Sequence, residues 1–174
     1  MVSSYNILFI PHLKERDKIS KIRSKVCKMV YSTQALQYPI HMSLISGGFQ
    51  MKNYIEFENE LKKLCKNEKP LILKPKNYTS IIPNRFWTGI EIKRTDKIKR
   101  LQIKLQKLRN KHAIKKEEHQ FHPLHITLAF PAKVENLQKI KSPVDSMVLD
   151  RITIVRRDNS SKPYKIYKHI KIGL

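Results

Sequence analysis

The sequence predicts an α+β protein with a bilobal internal duplication: helix, motif strand, helix and hairpin occur twice, and two antiparallel sheets line a central cleft. Three observations predict it. The tetrads His41-Met42-Ser43-Leu44 and His125-Ile126-Thr127-Leu128 share one pattern of His, apolar, hydroxyl, Leu. The same succession of helical and strand periodicities surrounds each of them. The two His lie 84 positions apart in a chain of 174, close to half its length and too long a period for a solenoid.

Taken in order, Tyr5 to Pro11 reads as a first strand closed by its proline. From Lys14 to Tyr31, Ile19, Ile22, Val26, Met29 and Val30 recur at helical spacing with charges opposite them. The first motif strand follows, His41 to Phe49, with Gly47-Gly48 allowing the backbone to bend beside the tetrad. Asn53 with Glu56 forms a capping box for a helix whose stripe is Tyr54, Phe57, Leu61, Leu64 and Cys65, stopped by Pro70. Leu71 to Ile82, with a possible break at Pro75, and Phe86 to Ile92 form a hairpin through the turn residues Pro83-Asn84-Arg85.

The order then repeats. Thr95 caps a helix that buries Ile98, Leu101, Leu105 and Leu108. The second motif strand runs from His125 to Pro131, and a short helix from Val134 to Lys141 ends before Pro143. Met147 to Arg157 and Tyr164 to Ile172 form the last hairpin, around Asp158-Asn159-Ser160-Ser161. One domain over 1–174 is expected, with lobe one at about 12–93, lobe two at about 94–174, and the strand at 5–11 joining the second lobe.

On a strand, alternate side chains share a face. Each tetrad therefore presents one imidazole and one hydroxyl on one face and two apolar side chains on the other. Two such strands brought together line a cleft suited to a phosphodiester. One imidazole takes a proton from the nucleophile, the other gives one to the leaving oxygen, and the hydroxyls hold phosphate oxygens. His119-x-x-His122-x-x-His125 is a poor zinc set, because Pro123 breaks the helix that would align it. No metal or cofactor is expected.

Lys and Arg outnumber Asp and Glu 36 to 14, a net charge of +22 that favours polyanions such as RNA, though a solvated Lys-rich surface gives the same composition. Cys27 and Cys65 fall at apolar helical positions and read as buried thiols in a reducing compartment. No apolar run approaches 18 residues. The expectation is a cytoplasmic monomer that binds RNA and no membrane.

The twin tetrads resemble the H-x-[ST]-Φ pair of the 2H phosphoesterase superfamily, which includes the RNA 2′,3′-cyclic phosphodiesterases called 2′-5′ RNA ligases. Pro83-Asn-Arg-Phe-Trp87 is similar to the family's Pro-x-Arg…Trp segment, and Arg156 through Tyr164 to Leu174 is similar to its final hairpin. Three positions depart from that pattern. Ser43 stands where Thr is usual, Pro123 lies one residue further from His125, and Phe130 replaces an Arg.

The resemblance implies a bilobal fold and opening of 2′,3′-cyclic phosphates to 2′-phosphates without metal. His41 and His125 would be catalytic, with Ser43 and Thr127 on the phosphate. Arg85 is a candidate phosphate contact, and Trp87 and Tyr164 are candidate base-stacking residues. A 2′-5′ oligonucleotide or other cyclic-nucleotide phosphodiesterase, and a basic RNA-binding protein without turnover, stay open as alternatives.

Overall fold

The computed structural model describes residues 3–45, 47–82, 87–116, 123–130, 140–158 and 163–173, without the side chains of 77–82. Its elements are β1 (Ser4–Phe9), α1 (Leu13–Met29), a 3₁₀ turn (Gln34–Gln37), β2 (Met42–Ser43), β3 (Phe49–Gln50), α2 (Tyr54–Lys66), β4 (Leu71–Leu73), β5 (Pro75–Ile82), β6 (Trp87–Ile92), α3 (Asp96–His112), β7 (His125–Ala129), β8 (Met147–Leu149), β9 (Arg151–Arg157) and β10 (Lys165–Lys171). The class is α+β with antiparallel sheets, as predicted. Turn residues 83–85, residues 134–139 of the helix expected at 134–141 and most of the turn at 158–161 lie outside the described residues, and Ile140 and Lys141 are not helical.

The helices form where apolar stripes and caps coincide. Asn53 Oδ1 accepts from the Glu56 amide at 3.3 Å at the start of α2, and Thr95 Oγ1 accepts from the Ile98 amide at 3.4 Å at the start of α3. The stripes Phe57, Leu61, Cys65 and Ile98, Leu101, Leu105 are buried in one core. In α1, Ile19 and Val26 are buried as expected, whereas Met29 is exposed and Arg23 takes a core position. Both cysteines are buried free thiols, and burial pushes Cys65 up to about 12.

The large sheet runs β10-β9-β1-β2-β7-β6-β5, with β3 paired to β1 beside β2. It narrows in the middle, because β2 is two residues long and meets β7 at the single pair Met42↔Ile126. The first motif strand is thus shorter than expected. The chain pairs with β1 at Met42–Ser43, leaves it, and rejoins it at Phe49–Gln50. Gly47, at φ +70, supplies the left-handed residue in that detour.

Two further expected strands are each broken in two. Leu71 to Ile82 parts into β4 and β5, and Met147 to Arg157 into β8 and β9. β4 and β8 pair with each other as a separate two-stranded sheet.

The expected lobe boundary near residue 93 does not divide the sheet. The first motif strand lies with β1 and the C-terminal hairpin β9–β10, while the second lies beside the mid-chain hairpin β5–β6. Each motif strand therefore sits with the hairpin from the opposite half of the sequence. α1 packs on β7, and α2 on β10 and α3.

Candidate active site

The alternation inferred for the tetrads is the one observed. Met42, Leu44, Ile126 and Leu128 are fully buried. His41, Ser43, His125 and Thr127 are half-buried, and all four line one cleft of about 450 Å³. Met42 lies antiparallel to Ile126, and this single pair joins the two motif strands, so their His–hydroxyl faces open into one cleft.

Both rings are oriented in the same way. His41 Nδ1 lies 2.8 Å from the Pro39 carbonyl and His125 Nδ1 lies 2.8 Å from the Pro123 carbonyl, each two residues upstream. A carbonyl only accepts, so Nδ1 carries the proton and the neutral ring keeps its lone pair on Nε2. Burial pushes His41 below its ordinary value. The Pro39 carbonyl opposes that shift, and the charges of Arg23 and His125 add to it. His41 is accordingly uncharged near neutral pH.

Trp87 and Tyr164 line the same cleft. The Trp87 ring meets His125 at 5.5 Å and Phe130 at 5.1 Å, edge to face in both cases. Tyr164 is fixed by a 3.0 Å hydrogen bond between its hydroxyl and Ser4 Oγ, with the Arg157 guanidinium 4.7 Å over its ring. Gly48 makes room for it, since a Cβ there would come within 2.0 Å of the Tyr164 hydroxyl. Arg85 lies outside the described residues, as do His119 and His122. Among the described residues, no three His, Cys, Asp or Glu side chains converge as a metal site.

Four residues not singled out from the sequence also belong to the site. Gln102 Nε2 donates to the Leu44 carbonyl at 2.8 Å, and Arg23 contacts both motif segments from within the cleft. Gly89 faces Thr127 across the ladder, where a Cβ would meet the Ile126 carbonyl at 2.8 Å and the His125 ring at 3.5 Å. Tyr38 reaches the cleft just ahead of Pro39. The sequence carries a signal for two of them, because Arg23 and Gln102 interrupt the apolar stripes set by Ile19 and Cys27 and by Ile98 and Leu105.

No family model and no curated protein sequence matches the chain. Solved structures do. The chain superposes on Escherichia coli LigT in its apo form with a TM-score of 0.74 at 12% identity, covering 99% of both chains. LigT complexed with 3′-AMP gives 0.69 at 14%, again over 99% of both. The protein TT0787 of Thermus thermophilus gives 0.69 at 12% over 97% of both. A structure described as a phosphoesterase gives 0.67 at 10% over the whole of both chains. At these identities the likeness is one of fold, and the fold is that of LigT, as the twin tetrads implied.

Proposed function

We propose that the protein is a metal-independent phosphodiesterase that opens 2′,3′-cyclic phosphates at RNA ends, with His41 and His125 as its acid–base pair. The observation that carries this reading is the matched pair itself: two imidazoles in one cleft, each with Nδ1 on a carbonyl two residues upstream. One Nε2 removes a proton from water as its oxygen attacks phosphorus. The other protonates the departing ribose 3′-oxygen, leaving a 2′-phosphate. Both proton transfers are supplied by side chains, and Ser43 and Thr127 donate to the non-bridging oxygens as charge builds.

Trp87 and Tyr164 provide aromatic faces for the terminal base. With an RNA 5′-hydroxyl in place of water as the nucleophile, the same pair joins a cyclic end through a 2′-5′ linkage as the ribose 3′-oxygen leaves with a proton. E. coli LigT has been crystallised with 3′-AMP, with phosphate and with NADP+, ligands of the chemistry this cleft would take. A net charge of +22 also suits a basic RNA-binding protein without turnover. Such a protein, however, has no use for two imidazoles fixed in one tautomer.

The test is incubation of a short RNA ending in 2′,3′-cyclic phosphate with EDTA, from pH 5 to 9, with the product identified as 2′- or 3′-phosphate. Metal-independent opening with a bell-shaped pH profile is expected. Binding without opening at any pH would overturn the reading.

A further inference from the structure

Sheet pairing alone fixes the two motifs weakly relative to each other. β2 meets β7 at one residue pair, so among the described residues β7 beyond Ile126 has no strand beside it on that side. α1 and the turn after it take the place of the missing strand. Arg23 Nη2 donates to the Thr127 carbonyl at 2.9 Å, Cys27 Sγ to the Leu128 carbonyl at 3.3 Å, and Ser32 Oγ to the Phe130 carbonyl at 2.6 Å. The other half of the Arg23 fork turns to the first motif. Its Nη1 donates to the carbonyls of Ala35 at 3.1 Å and Tyr38 at 2.8 Å, and Tyr38 leads directly into Pro39, whose carbonyl orients His41.

We propose that Arg23 is the positioning residue that sets the spacing of the two histidines, one guanidinium holding the segment that orients His41 and the strand that carries Thr127 and His125. The proposal rests on the acid–base reading of that pair and adds the device that holds it together. Three features of Arg23 support it. It is only 4% exposed, and among the described residues no carboxylate pairs with it. A buried cation without a counter-ion is costly, and an apolar side chain of the same length would fill the space more cheaply. Only the planar fork of Arg serves three carbonyls in fixed directions; a Lys ammonium is a point donor. Finally, the residue lines the cleft, so its charge also draws a phosphate toward the histidines. The groups facing His41 are Arg23 from α1, His125 from β7 and the Pro39 carbonyl of its own segment.

The experiment compares Arg23→Lys and Arg23→Met with the wild type in kcat and KM on the cyclic-phosphate RNA. Histidine ring protons are titrated by NMR in the same proteins. Misplacement of the pair lowers kcat by about 100-fold in both variants. KM rises mainly in Arg23→Met, where the charge is gone. The His41 titration moves to higher pH in Arg23→Met and stays close to wild type in Arg23→Lys, while His169 titrates unchanged as a control of the fold. Wild-type kcat in either folded variant overturns the proposal. If Arg23→Met does not fold, Arg23→Lys decides it alone. If the wild type turns over no cyclic phosphate, the acid–base reading fails, and the NMR arm still tests Arg23: an unmoved His41 resonance in Arg23→Met overturns it. An active wild type with equally active variants leaves the acid–base reading standing and removes Arg23 from it.

Discussion

Each motif histidine has Nδ1 committed to a carbonyl, which leaves Nε2 for the proton transfer of the proposed reaction. Burial holds His41 uncharged near neutrality, so the acid limb of the pH–rate profile should lie below the ordinary histidine range near 6.5. In the proposed reaction the hydroxyls act on the phosphate rather than on the proton. Ser43→Ala and Thr127→Ala should therefore each lower kcat by about 10- to 1000-fold, with the pH optimum unmoved in steady-state assays. An optimum that shifts by a full unit in either variant would contradict the assignment.

Gly89 is the residue-scale prediction that sequence reading missed. A side chain there presses on the Ile126 carbonyl, the strand segment that follows His125. Gly89→Ala should cost about 1–3 kcal/mol in thermal denaturation and lower kcat with it. A variant as stable and active as the wild type would show that β6 and β7 have slack at this level.

At the scale of elements, the sequence was most legible where one periodicity met one cap. α2 and α3 begin at Asn53 and Thr95 as expected, because a side-chain acceptor and an apolar stripe specify the same start. The tetrads were legible because period-two alternation leaves no choice of which side chains face the cleft. Strand partners were not legible. The expected strand runs from Leu71 to Ile82, but it breaks at Lys74, which lies between β4 and β5, and β4 goes to β8 while β5 goes to β6. Alternation states which face is buried and is silent about the neighbour.

The end of α1 carries a local strain that the sequence did not announce. Tyr31 sits at φ +52 with its side chain 98% exposed. Tyr31→Gly should raise stability by up to about 1 kcal/mol, since the left-handed conformation is freed and no packing is lost. Destabilisation on chemical denaturation would show that the exposed ring contributes something to the fold.

At the scale of the molecule, the order of helix, motif strand and hairpin recurs among the described residues and is interleaved in space. Each motif strand sits with the hairpin of the other half, so neither half of the chain contains a complete lobe. Repeat order reports what elements exist, and only the long-range pairing of β1 with β9 reports how they are shared. Among the described residues no helix is long and apolar enough to cross a membrane.

The outer face of that sheet carries an acid-sensitive contact. Burial raises the Glu58 carboxyl, but hydrogen bonds from Lys168, Lys62 and Tyr54 outweigh it and hold the group down at about 2. A depressed carboxylate contributes stability above its unfolded value of 4.5, and that stability is lost as pH falls toward 2. With screening at its half-exposed lysine partners allowed for, the loss is about 2 kcal/mol. Denaturation midpoints followed through this range should fall in the wild type and flatten in Glu58→Gln. An equal slope in both proteins would assign the acid sensitivity elsewhere.

In the proposed mechanism two imidazoles divide one reaction between them. The most direct measurement is the rate of cyclic-phosphate opening by His41→Ala and His125→Ala separately, alongside RNA binding at two salt concentrations. Each variant should lose turnover by about 100- to 10,000-fold. Each should still bind RNA with the salt dependence of the wild type, because binding draws on Lys and Arg. Retention of turnover in either single variant would contradict the account.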